Sequence, residues 1–277
     1  MAVKNGRIKQ SLAFWCFNIA GECWDAEKMC QVATELGCPS VEVIGPNDWG
    51  TLKKHGLICA MSPNAMPDPM FTKGFNNTRY HEQLIHCTKE SIDVNSDAGF
   101  PNVLAFTGYR WRDADDPSSG EISLEEGADN CVEGLKAVAA YAESKNVTLC
   151  LEHLNTRDDS HPMKGHPGYQ GDDLDYVASI IRRVGSPNVR LLFDIYHVQV
   201  MHGDVIRRLE ENKDILGHIH TAGCPGRCEI DDRQEVNFPA IMHKLLEIGY
   251  DGYVGQEFLP TGDPYTGLKE AVELCDV

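Results

Sequence analysis

Short apolar runs rich in Val, Ile, Leu and Phe alternate with longer amphipathic segments along the whole chain, eight of each, and no glycine-rich phosphate turn follows the first run. These observations predict an α/β fold, a single (β/α)8 TIM barrel spanning 1–277 as one domain. Parallel strands need a crossover element between them, which the amphipathic segments supply. Strands apolar enough to be buried on both faces favour a closed barrel over an open sheet. An open doubly wound sheet would be marked by Gly-x-Gly-x-x-Gly, yet no two of the 25 glycines stand two positions apart, and Gly-x-x-x-x-Gly-Lys is absent too. No low-complexity linker or composition shift divides the 277 residues.

The strand-like runs are 8–17, 40–45, 57–64, 102–108, 148–154, 189–198, 217–223 and 253–258. The helix-like segments are 25–36, 49–55, 80–98, 123–145, 172–184, 204–213, 239–248 and 264–275. In the fourth of these, Val132, Leu135, Val138, Ala139 and Ala142 form one apolar stripe. Asp25 and Ser123 stand just before their helices, and Glu126 three residues after Ser123 completes a capping box. Gly37, Gly56, Gly99, Gly185 and Gly249 are read as helix stops. The longest non-helical stretches, 65–79, 109–122 and 155–171, follow strands three to five, where barrel enzymes carry their sites.

Composition narrows the function. Lys and Arg total 25 against 42 Asp and Glu, a formal net charge of −17, which disfavours nucleic acid and anionic membrane as partners. A small anionic substrate stays compatible, because a local Arg or metal can reverse the field in a pocket. Eleven cysteines, an odd number without Cys-x-x-Cys, read as reduced thiols and a cytoplasmic protein. Lys4, Arg7 and Lys9 before an apolar run resemble the start of a signal peptide, but Asn18 and Glu22 interrupt it, and a first core strand is the reading taken. No stretch reaches the roughly 20 apolar residues of a membrane helix.

Four consecutive strand-like runs end in a residue able to bind a hard metal: Glu152, Asp194, His220 and Glu257. A carboxylate at such a position is costly to desolvate without a cation. The mostly oxygen set favours Mn²⁺ or Mg²⁺, with Co²⁺ or Zn²⁺ as further options. His197, three residues after Asp194, could reach the metal or a substrate oxygen, or be a hydrogen-bonded core histidine. Arg227 suits bidentate carboxylate recognition, the alternative being a surface pair with Glu229; Arg110 and Arg157 are weaker anion-binding candidates. His218 is read as packing or support for His220, and His161 and His166 as solvent-exposed loop residues.

These residues carry a resemblance. Phe193-Asp194-Ile195-Tyr196-His197 through Gly203-Asp204, Gly217-His218-Ile219-His220, Pro225-Gly226-Arg227, Glu235-Val236-Asn237-Phe238 and Gly249 to Glu257 resemble the hydroxypyruvate isomerase family. Upstream, Glu152-His153-Leu154-Asn155-Thr156-Arg157-Asp158 is similar to that family's fifth-strand segment. The family sits within the xylose isomerase-like (AP endonuclease family 2) TIM-barrel superfamily, and the resemblance is specific from about Leu149 to Phe258. It implies Glu152, Asp194, His220 and Glu257 as metal positions, the two glutamates as proton carriers, and His197 and Arg227 as substrate contacts. The isomerases usually have Gln where this chain has His220, which is closer to the 3-epimerases, and Pro where it has His153. The fourth strand-like run, Leu104-Ala105-Phe106-Thr107-Gly108, lacks the His expected of the isomerases.

The chemistry also follows from the residue types. Moving a proton beside a carbonyl needs a base, an electrophile for the enolate oxygen and an acid, which two glutamates and a divalent ion provide. The expected activity is a metal-assisted isomerase that converts a small ketose or hydroxy-carbonyl acid to its aldose or semialdehyde through an enediolate. A ketose 3-epimerase is the alternative, with a metal-dependent nuclease or a non-catalytic sugar-binding protein behind it. The expected partner is a small sugar or hydroxy acid, and a homo-oligomer is compatible with the sequence.

Overall fold

The computed structural model describes residues 2–66 and 69–277. It divides into two compact units: Met1–Ser62, Asp194–Asp214 and His218–Val277 form the first, and Pro63–Phe193 with Ile215–Gly217 the second. In chain order the elements are β1 (Lys9–Ala13), α1 (Phe14–Ile19), α2 (Ala26–Leu36), β2 (Ser40–Glu42), α3 (Trp49–Lys54), α4 (His81–Ala98), β3 (Asn102–Phe106), β4 (Trp111–Asp113) and β5 (Asp116–Glu121). There follow α5 (Leu124–Lys145), β6 (Thr148–Glu152), α6 (Leu174–Val184), β7 (Val189–Asp194), α7 (Ile195–Met201), α8 (Val205–Glu211), β8 (Leu216–Thr221), α9 (Phe238–Glu247), β9 (Tyr253–Gln256) and α10 (Pro264–Cys275).

In the first unit β1 pairs in parallel with both β2 and β9, and β9 with β8. The register sets Ala13 opposite Glu42 and His220 opposite Gly255. In the second unit β6 pairs in parallel with β3 and with β7, Glu152 lying opposite Phe106 and Leu192. The amphipathic segments lie between these strands as helices, and the apolar runs are buried: Leu149, Leu151, Leu191, Leu192 and Phe193 in the second unit, Leu12, Val41, Ile219 and Val254 in the first. Such strands, apolar on both faces, belong to a covered parallel sheet.

Among the described residues, seven of the eight expected strands form. The run 57–64 contributes no strand, only an isolated parallel bridge from Ser40 to Ile58 and the bonds Val41 N to Ile58 O (3.1 Å) and Val43 N to Met61 O (2.7 Å). Val43, immediately after β2, has φ 49°, a left-handed conformation foreign to a β-branched residue. It ends the pleat after three residues, at a cost on the order of 1–3 kcal/mol.

Each strand that forms is shorter than its expected run, and two of them turn directly into helix. β1 ends at Ala13 and the apolar residues after it coil into α1, since a short apolar run reads equally as a buried strand or a buried helical turn. β7 ends at Asp194, whose Oδ1 accepts the backbone N–H of Tyr196 (2.7 Å) and of His197 (3.2 Å), starting α7 where the strand was expected to continue. The stretch 109–122, expected as plain loop, holds the antiparallel hairpin of β4 and β5. Its second strand is exposed or half-exposed at every position, so no apolar alternation announces it. Pro67 and Asp68 of the stretch 65–79 lie outside the described residues.

Helix boundaries follow the expected signals. Asp25 caps α2 through Lys28 N (2.8 Å) and Ser123 caps α5 through Glu126 N (3.1 Å). Gly37, Gly99 and Gly185 take left-handed C-caps. All eleven cysteines are free thiols. No helix among the described residues is long and apolar enough to cross a membrane. Replacing Ser123 by Ala should lower unfolding free energy by about 1 kcal/mol, read from urea denaturation, with folded-state circular dichroism unchanged.

Candidate functional site

In the first unit the strand ends bring together six buried ionisable side chains: Glu42 from β2, Asp194 from β7, His218 and His220 from β8, Arg227 from the loop after β8, and Glu257 just beyond β9. Glu42 Oε1 lies 3.0 Å from His218 Nε2 and 2.9 Å from His220 Nε2. Residues two apart on a strand share a face, so both imidazoles reach one carboxylate. Burial alone would raise the Glu42 pKa, but His218 and His220 bring it down to about 2. Glu42 is therefore ionised and can only accept hydrogen bonds, so each Nε2 carries the proton.

On its other side, His220 Nδ1 lies 2.9 Å from Glu257 Oε2. The same Oε2 accepts from Arg227 Nη2 (2.5 Å), and Oε1 accepts from Trp15 Nε1 (2.7 Å). Burial pushes Glu257 up, yet the His220 and Arg227 charges outweigh it and hold the carboxyl well below the usual range. Arg227 Nη2 also reaches Asp194 Oδ2 at 3.2 Å. Asp194 is raised by burial, with Arg227 opposing the rise and the Glu257 charge adding to it. The guanidinium lies over the rings of Trp15 (5.3 Å) and Tyr196 (5.8 Å), which hold its plane in place.

Of the residues expected to carry the site, Asp194, His220, Glu257, Arg227 and His197 meet here. His197 Nε2 stands 3.5 Å from Asp194 Oδ2 in a fully buried position. The surface alternative for Arg227 does not hold: Arg227 is 3% exposed, and the Glu229 carboxylate instead accepts from Thr261 and Gly262. Glu152 belongs to the second unit, where it ends β6, is buried, and its backbone carbonyl accepts from Tyr169 Oη at 2.8 Å. Arg110 is also in that unit, over the Trp111 ring and 4.0 Å from Asp172, and Arg157 is exposed on its loop. His166, expected in solvent, is buried, its ring 4.3 Å from that of Phe71, while His161 is exposed as expected.

Sequence reading missed Glu42 and Trp15. Glu42 lies inside the expected run 40–45, with Val43 and Ile44 after it, so no strand-end signal marked it; the strand itself is only three residues long and ends there. His218 does more than pack, since it shares the Glu42 oxygen with His220.

The donor set suits a divalent cation. Asp194, His220 and Glu257 each offer a ligand atom, all within 4.8 Å of one another, and all three are buried. His220 Nδ1 faces the Glu257 oxygen at 2.9 Å, an approach that a proton on Nδ1 or a metal ion must bridge.

A family model described as Xylose isomerase-like TIM barrel matches residues 30–276. The chain belongs to this family. Within it, the chain is 32% identical over 170 residues to 2-oxo-tetronate isomerase of Cupriavidus necator, covering 60% of this chain and 62% of that protein. It is 28% identical over 138 residues to hydroxypyruvate isomerase of Escherichia coli, covering 50% of each. The chain spans about half the length of the curated relatives it matches. A crystal structure of AP endonuclease, family 2 from Brucella melitensis superposes with a TM-score of 0.78 at 22% identity, covering 94% of this chain and 97% of that one, a likeness of fold.

Gly255 is where this xylose isomerase-like site has no room to spare. A Cβ there would fall 1.9 Å from Glu42 Oε1 and 2.9 Å from His220 Cδ2. A free glutamate would swing aside, but this one is buried and held by two imidazoles. Gly255→Ala should therefore displace the Glu42–His220 pair and lower stability by about 1–3 kcal/mol, measured by thermal unfolding.

Proposed function

We propose that this chain is a metal-assisted isomerase of a small hydroxy-carbonyl acid, transferring a proton between adjacent carbons through an enediolate. The observation that carries the reading is the convergence of Asp194, His220 and Glu257 as buried ligand atoms within 4.8 Å. The names of the relatives, 2-oxo-tetronate isomerase and hydroxypyruvate isomerase, support a small 2-oxo acid bearing a neighbouring hydroxyl.

Asp194, His220 and Glu257 would hold the ion, and Glu152 is proposed as the fourth ligand. A bound Mn²⁺ or Mg²⁺ supplies Lewis-acid polarisation of the substrate carbonyl and fixes its orientation. Glu257, held ionised by His220 and Arg227, is ready to accept a proton from the carbon beside the carbonyl. The bonding electrons of that C–H move into the enediolate and Glu257 becomes a neutral acid. Return of a proton to the former carbonyl carbon, with the hydroxyl proton passing from one enediolate oxygen to the other, completes the isomerisation without any external oxidant or reductant. Glu152 is proposed as the second proton carrier, on the opposite side of the substrate. Arg227 and His197 are proposed to contact substrate oxygens, with Arg110 and Arg157 as further anion-binding candidates. The guanidinium of Arg227 is the natural partner of a substrate carboxylate, because its planar fork matches it.

Deuterium wash-in from D₂O tests this, using hydroxypyruvate, 2-oxo-tetronate and small ketoses on chelator-treated protein with and without added Mn²⁺. The expected result is Mn²⁺-dependent incorporation that falls about 10²- to 10⁴-fold in Glu257→Gln. Full turnover by that variant overturns the reading. Exchange with inversion of a ketose at carbon 3, without aldose formation, marks the 3-epimerase instead.

A further inference from the structure

We infer that Glu42 is a positioning residue for the metal site: its carboxylate fixes the His220 ring through Nε2, so that Nδ1 is the nitrogen turned toward Glu257 and available to a divalent cation. The inference rests on the metal-site reading above and adds a residue to it.

Four observations support it. First, Glu42 Oε1 is within 2.9 Å of His220 Nε2, and Glu42, His218 and His220 are all 1% exposed or less, so water cannot take the place of either partner. A carboxylate behind a ligating imidazole sets the tautomer and the ring orientation. Second, among the described residues Glu42 Oε2 has no hydrogen-bond partner, so the direction of the carboxylate is set by the two imidazoles on Oε1. Third, the His218 ring stands edge-on to that of His220, centroids 5.0 Å apart and planes at 88°, which blocks rotation of His220 toward it. Fourth, the neighbouring strand carries Gly255 at the point where any side chain would collide with the Glu42 oxygen. The left-handed φ of 49° at Val43, next in the chain, is a further mark of a backbone held at a site.

The test compares wild type, Glu42→Gln and Glu42→Ala. Titration calorimetry with Mn²⁺ alone measures affinity, and nitrogen-detected NMR of the His220 ring in metal-free protein reports which nitrogen carries hydrogen. Wild type is expected to show a protonated Nε2. Glu42→Ala should bind Mn²⁺ about 10- to 100-fold more weakly and lose the preference for a proton on Nε2. Glu42→Gln, whose amide oxygen can still accept, should lose less. Mn²⁺ affinity in folded Glu42→Ala within threefold of wild type overturns the inference, as does a wild-type Nε2 without hydrogen. Should Glu42→Ala fail to fold by circular dichroism, Glu42→Gln binding Mn²⁺ as tightly as wild type overturns it. If wild type exchanges no substrate proton while the Mn²⁺ affinities keep this order, the isomerase reading falls and the role of Glu42 stands.

Discussion

Three buried carboxylates of the first unit, Glu42, Asp194 and Glu257, converge at one place, and the cations and donors around them neutralise them. An ionised carboxylate in a low-dielectric interior is tolerated only beside a cation or a set of donors. His218 and His220 supply the donors for Glu42, while Arg227 and His220 serve Glu257 and Arg227 reaches Asp194. Each counterpart is itself fixed by packing: Arg227 between Trp15 and Tyr196, and Asp194 by the first turn of α7. His220 contacts two of these three acids and Arg227 contacts two. Removing a partner from such a buried set typically costs about 3–5 kcal/mol, because a charge is left without compensation.

Much of this was legible in the sequence. Alternating apolar and amphipathic segments located the helices closely, since their caps and glycine stops are local chemistry: Asp25, Ser123 and Gly37 act where their residue types foretell. The strand-end carboxylates were found because a charge closing an apolar run is expensive and therefore informative. Strand ends themselves were less legible. Neither the turn into helix at Phe14 nor that at Ile195 is marked by a break in hydrophobicity, and the second depends on a side-chain cap formed by Asp194 itself. The burial of His166 against Phe71 joins residues 95 positions apart, a contact that no local pattern encodes.

In the second unit, polar contacts tie together parts of the stretches 65–79, 109–122 and 155–171. Asn76 donates to the carbonyl of Tyr109 and to Gln170 Oε1, and Gln170 Nε2 donates to the carbonyl of Ile122, so one amide pair ties three stretches together. Arg110 N donates to Gly168 O (2.8 Å), adding a backbone tie between two of them. Gly74 and Gly108 pack backbone to backbone, where a Cβ on Gly74 would lie 2.2 Å from the Thr107 carbonyl. Glycines, amides and main-chain groups do here what apolar stripes do in the helices, which is why hydrophobic periodicity is silent about these stretches.

The free thiols have a practical consequence. Burial raises Cys30 to about 11 and Cys38, Cys59 and Cys275 to about 12, so at neutral pH they are almost wholly in the unreactive protonated form. Cys23, in contrast, is exposed. An alkylating reagent therefore meets one exposed thiol and a graded series of shielded ones, and the order in which the shielded ones react is a clock for local opening, residue by residue.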